Sequence, residues 1–164
     1  MKPVLSTAKI IFYKMQNQPV YKVWVDWAVD MLMEGYDTEH LVILAGISHF
    51  DNQIDLKNIT DKAFKELGLD FLNKKKVITD YVSYLILDGF EKKLDQLSVL
   101  GNLMNLYFAV DCPEFLVDFR NLYYILDDFQ DDFTYVGKEL EQEKIETEID
   151  KMLKNWIEKN PIMF

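Results

Sequence analysis

Four aspartates in Asp127-Asp128-Phe129-Gln130-Asp131-Asp132 have a spacing that could do chemistry. On a helix Asp127 stands beside Asp131 and Asp128 beside Asp132, each pair four residues apart. Carboxylates placed this way can hold Mg²⁺, a hard cation that takes oxygen ligands and often bridges to a phosphate. A second acidic run follows in Glu139, Glu141, Glu143, Glu146, Glu148 and Asp150. The same acids have another use. Turned outward, they would raise the local concentration of a cationic partner and speed its arrival.

Asp127–Asp131 reads Asp-Asp-x-x-Asp, and over those five residues it resembles the motif by which all-helical isoprenyl diphosphate synthases bind magnesium and diphosphate. That resemblance implies a magnesium-dependent enzyme acting on a diphosphate. The chain departs from the pattern by being much shorter, by lacking a second such motif and by offering few bases for the diphosphate. Residues 111–150 hold 13 acids and only three bases, Arg120, Lys138 and Lys144. Glu143-x-x-Glu146 similarly resembles one half of the metal site in all-helical nucleotide pyrophosphohydrolases, without a matching second half.

These acids need a helix to position them. Asp111-Cys112-Pro113-Glu114 reads as a helix start, with an N-cap acid, Pro in the first turn and Glu at N3. Phe115, Phe119, Leu122, Leu126, Phe129 and Phe133 follow at intervals of three and four, an apolar stripe along one side. At 100° per residue Glu114, Asp118, Asn121, Asp128, Asp131 and Asp132 fall on the opposite side, towards water, and Tyr124 projects among them. A metal site in a core would need those carboxylates beside the stripe. The geometry therefore predicts either a plain solvated face or a contact for a basic partner, with an exposed Tyr among acids as its hot spot. Asp118, Tyr124, Asp127, Asp128, Asp131 and Asp132 are the candidate contact residues. No residue is assigned to catalysis or to a metal, and no cofactor is expected.

The rest of the chain also reads with a helical period. Expected helices cover about 4–17, Val20–Glu34 ending at Gly35, Glu39–Ile47 capped by Asp37 or Thr38, and a segment from Asn52 to Leu67 stopped by Gly68. Others cover Lys74–Asp88 ending at Gly89, 94–110, the 115–133 stripe helix and Lys138–Lys159. Short strands are conceivable only near Ser48–Phe50 and Thr134–Val136. The expectation is an all-α single domain over 1–164, an antiparallel array of about seven to eight helices.

Composition narrows the function classes. The formal charge of −10 lies entirely in residues 111–150, because the remaining acids and bases balance at 15 each. Such acidity argues against duplex nucleic acid and against anionic lipid as partners. One cysteine, Cys112, excludes an internal disulfide and fits a reducing compartment. The longest apolar stretches fall far short of a membrane span, and the start of the chain lacks a signal-peptide segment, so a cytoplasmic location is expected. His40 and His49 have no ligand or nucleophile at a recruiting spacing, and His40 reads as an ordinary first-turn residue. Cys112 reads as structural, and Trp24 and Trp27 as core. Lys74-Lys75-Lys76 puts cations at a helix start, where the dipole disfavours them.

Residues 24–69, with Trp27-Ala28, Met31-Leu32, Gly35-Tyr36-Asp37, Ile43-Leu44-Ala45-Gly46 and Lys65-Glu66-Leu67-Gly68-Leu69, resemble small, uncharacterised bacterial helical proteins. That resemblance implies a helix corner and a bacterial source, and it carries no functional residues. In type, a small acidic all-helical chain is also similar to bacterial immunity proteins. The functional expectation is a non-catalytic protein-binding domain, an immunity-type inhibitor covering the active face of a basic toxin such as a nuclease. The alternatives are the magnesium-dependent diphosphate enzyme and a helical scaffold whose apolar groove takes a peptide or a second copy of the chain.

Overall fold

The computed structural model describes residues 3–131 and 138–164, with side chains described at 3–128 and 142–164. It is all-helical. The helices are α1 (Thr7–Met15), α2 (Lys22–Met33), α3 (Glu39–Ala45), α4 (Gln53–Leu67), α5 (Lys74–Glu91), α6 (Gln96–Ala109), α7 (Val117–Asp131) and α8 (Lys138–Lys159), and a 3₁₀ turn, Glu114–Leu116, leads into α7. Among the described residues there is no strand, and Ser48–Phe50 is irregular chain. No helix among them is long and apolar enough to cross a membrane.

Close contacts group the chain into two compact units, residues 1–84 with 162–164 and residues 85–161. In the first unit α2 packs on α1 and α3, and α3 packs on α4. The α2 face is buried at Trp24, Trp27, Ala28 and Met31, with Val20 just before it. Trp27 donates its indole N–H to Thr7 Oγ1 at 2.9 Å, which satisfies a buried donor. Gly35 ends α2 in the left-handed region at φ 93°, as its position predicts.

Asn52 caps α4 by accepting from the Asp55 N–H, and Gly68 closes the helix at φ 66°. Thr38 is the N-cap residue of α3, yet its hydroxyl makes no capping bond. At the start of α5, Asn73 Oδ1 accepts the Lys76 N–H, while Lys76 Nζ bonds Asp80 and the Met163 carbonyl. The unfavourable cation there has therefore found acceptors.

In the second unit α6 packs chiefly on α7, and α8 packs on both. Its core is Val99, Leu100, Leu103, Leu106, Leu116, Phe119, Leu126, Ile149 and Leu153. Two expectations are corrected here. Gly89 does not end α5, which runs on to Glu91. A Cβ at Gly89 would lie 2.7 Å from Val99 Cγ2, so the glycine permits close packing of α6. Asp111 is not an N-cap either: Asp111 and Cys112 form a left-handed pair (φ 63° and 56°), and Pro113 takes the cap position of the 3₁₀ turn. Phe108, in the most apolar part of α6, is exposed rather than packed.

Candidate protein-interaction face

Helix α7 has one buried edge and one open edge. Phe119 and Leu126 are almost wholly buried, and Phe119 meets Trp156 of α8 edge-on at 5.1 Å. Leu122, Phe115 and Tyr123 are half-buried beside them. The apolar stripe read from the spacing thus faces inward over its described part. Phe129 and Phe133 lie outside the described side chains.

Asp118, Asn121, Tyr124, Ile125 and Asp128 are exposed, and Asp127 is half-exposed. At the helical period the five exposed residues fall within about 120° of arc, away from the stripe. The side chain of Asp131 and all of Asp132 lie outside the described residues. Four of the six expected contact residues, Asp118, Tyr124, Asp127 and Asp128, are therefore placed on or beside one open face.

Tyr124 is oriented from below. Gly101 of α6 lets the Tyr123 ring approach, since a Cβ there would sit 3.4 Å from it. Tyr124 then stands edge-on to Tyr123 at 5.6 Å, an arrangement favoured by the ring quadrupoles. Tyr124 keeps 45% of its surface exposed and Ile125 keeps 50%.

The electrostatics of the face are one-sided. Arg120 is the only base on α7. Its guanidinium lies over the Tyr107 ring at 5.4 Å and donates to Asn121 Oδ1 at 2.7 and 3.2 Å. Among the described residues no cation pairs with Asp118, Asp127 or Asp128. A shallow trough of about 960 Å³ runs along α8 beside Leu122, lined by Glu148, Asp150 and Glu158 but also by Lys151 and Lys154. Its mixed charge does not extend the acidic face.

Sequence spacing did not find Ile125. It lies seven residues from Asp118, so extending the same helical arithmetic would have put it on the open side. Cys112 is exposed in the left-handed turn, not in the first turn of a helix, so the dipole that might activate it is out of place.

A second cluster comes from the first unit. Glu66 on α4 accepts the His40 backbone N–H at 3.0 Å and faces its ring Nδ1 at 2.5 Å. The His40 contact holds the Glu66 carboxyl below the usual range. One ligand atom each from Glu39, His40 and Glu66 comes within 4.8 Å of the others. Both oxygens of Glu66 are already engaged by His40, so this reads as a polar tie between α3 and α4. No spacing along the chain could have joined residues 26 apart on two helices. Asp127 and Asp128 belong to no comparable grouping among the described residues.

No protein-family model, curated protein or solved structure matches this chain.

Proposed function

We propose that this chain is a non-catalytic, cytosolic protein-binding domain whose acidic α7 face engages a basic protein surface. In its most concrete form it is an immunity-type inhibitor that covers the basic, substrate-binding face of a toxin such as a nuclease. One observation carries this reading: exposed Tyr124 and Ile125 stand between Asp118 and Asp128, whose carboxylates have no cation among the described residues. An amphipathic aromatic and an aliphatic side chain ringed by uncompensated charge is the composition of a hot spot for a cationic partner. Asp127 lies at its margin, and Asp131 and Asp132 extend the acidic run in sequence.

The same side chains support the fold little. Acids close together on one helix repel by a few tenths of a kcal/mol per pair, a cost that a basic partner would reverse. Association would be fast and would weaken steeply with salt. The diphosphate-enzyme reading needs carboxylates converging from two elements, which no described residue supplies to Asp127 or Asp128.

The test is a low-salt pull-down from the native host with the wild-type chain and an Asp118→Lys/Asp128→Lys variant side by side. The expected result is a basic protein retained by the wild type, lost on charge reversal and released by salt. Identical captures by both chains would reject the proposal.

A further inference from the structure

We propose that Glu39, His40 and Glu66 bind a divalent transition-metal ion of the zinc type, which would clasp α3 to α4. The site shares no residue with the α7 face, and neither proposal depends on the other.

The first support is the ligand set. Glu39 and His40 open α3, Glu66 stands in the last turn of α4, and one ligand atom from each lies within 4.8 Å of the other two. Ligands of one zinc ion, each about 2.0–2.2 Å from it, stand roughly 3–3.5 Å apart. Glu39 is exposed, so its side chain can swing in while the His40–Glu66 pair widens to admit the ion. An imidazole beside two carboxylates suits a borderline ion such as Zn²⁺ better than Mg²⁺ or Ca²⁺, which take oxygen ligands.

The second support is charge. No lysine or arginine pairs with Glu39 or Glu66 among the described residues. The tie to His40 occupies one acceptor position on each Glu66 oxygen and leaves a second on each. The backbone bond can therefore persist on Oε2 while Oε1 and the ring Nδ1 turn to the ion, the ring proton resting on Nε2. Two carboxylates balance the charge of the cation. The positive end of α3, a helix of seven residues, opposes it by no more than about half a charge.

The third support is a polar atom without a bond. Thr38 holds the N-cap position of α3, but its side chain does not cap the helix, and its Oγ1 is buried with no hydrogen-bond partner. It lies near enough to Glu66 to help hold that carboxyl below the usual range, after the larger effect of His40, without closing a bond. A buried hydroxyl left this way calls for a water or an ion. A metal-bound water on Glu66 would donate to it.

The experiment titrates ZnCl₂ into the full chain, stripped with chelator and dialysed, by calorimetry and by ¹⁵N signals of the histidine rings. One ion is expected to bind per chain in the micromolar range, with the His40 ring signals moving and those of His49, the other histidine of the chain, staying in place. Glu39→Gln, a change at an exposed side chain, and His40→Gln should each weaken binding about tenfold or more. Asp118→Asn/Asp128→Asn on the α7 face should leave it unchanged. No binding at about 100 µM Zn²⁺, far above a micromolar Kd, would overturn the proposal. So would binding that either Glu39→Gln or His40→Gln leaves intact, equal movement of both histidines, or binding lost with the α7 aspartates.

Discussion

In the first unit several charged side chains hold one element to another. Lys14 joins α1 to α4 through Asp61 and Thr60, Glu66 of α4 grips His40 of α3, and Lys76 ties Asp80 to the Met163 carbonyl. On α7 the arrangement is reversed. Its single base is taken up by Tyr107 and Asn121, and its described carboxylates face water without a partner. The difference separates two uses of charge in one chain. Where acids and bases alternate along neighbouring helices they fix geometry, and where one sign accumulates the geometry is set by the apolar stripe alone. That surplus is what the proposed contact with a basic partner rests on.

The contrast can be broken or sharpened by substitution. The largest effect is expected at Lys14, whose side chain is 11% exposed. Lys14→Ala removes the bonds to Thr60 and Asp61 together with the contact on the Phe64 ring, and should cost about 2 kcal/mol, read by chemical denaturation. A loss below about 0.5 kcal/mol would mean that the ties of the first unit are ornamental.

Gly89→Ala tests whether the second unit rests on packing rather than charge. Val99 is buried and stiff at χ1, so the added methyl should cost about 1–3 kcal/mol. An unchanged denaturation midpoint would show that α5 and α6 have room to spread.

Asp95 gives a smaller effect with a pH signature. It caps α6 through the Ser98 N–H and hydroxyl, and those bonds pull its carboxyl below the ordinary value. A carboxylate depressed in the folded state contributes stability that is complete above its unfolded pKa, about 4, and lost as pH falls through the lower folded value. Asp95→Ala should therefore cost about 1 kcal/mol at neutral pH, and the gap to wild type should close in acid. A gap that is constant with pH would remove the charge from the account.

The smallest effect is expected on the acidic face itself. Asp128→Asn should change stability by less than about 0.5 kcal/mol, with the sign towards stabilisation. A clear loss of stability would mean that Asp128 has a structural partner after all.

Local signals in the sequence were sound wherever the deciding contacts are local. Gly35 and Gly68 end helices as their positions predict, Asn52 caps through Asp55, and the 115–126 stripe turns inward. They failed where a distant residue decides. Gly89 looks like a stop signal, but its reason is Val99 on the next helix. Asp111 and Pro113 have the composition of a capped start, yet the left-handed pair at 111–112 moves the cap to Pro113. Glu66 reaches His40 across two helices. The face of α7 was legible because one helix carries it whole. The tie between Glu66 and His40 was not, because its two residues come from different helices.

The commitment of Arg120 to Tyr107 has a further consequence. Asn121 accepts from the same guanidinium and belongs to that tie, whereas Asp118, Tyr124, Ile125 and Asp128 can be replaced without disturbing the core beneath them. Selection could therefore rewrite that surface quickly, letting descendants of one ancestor diverge in what they recognise while inheriting the same scaffold. Variation among such descendants should concentrate at 118, 124, 125 and 128, and Phe119 and Leu126 should stay apolar.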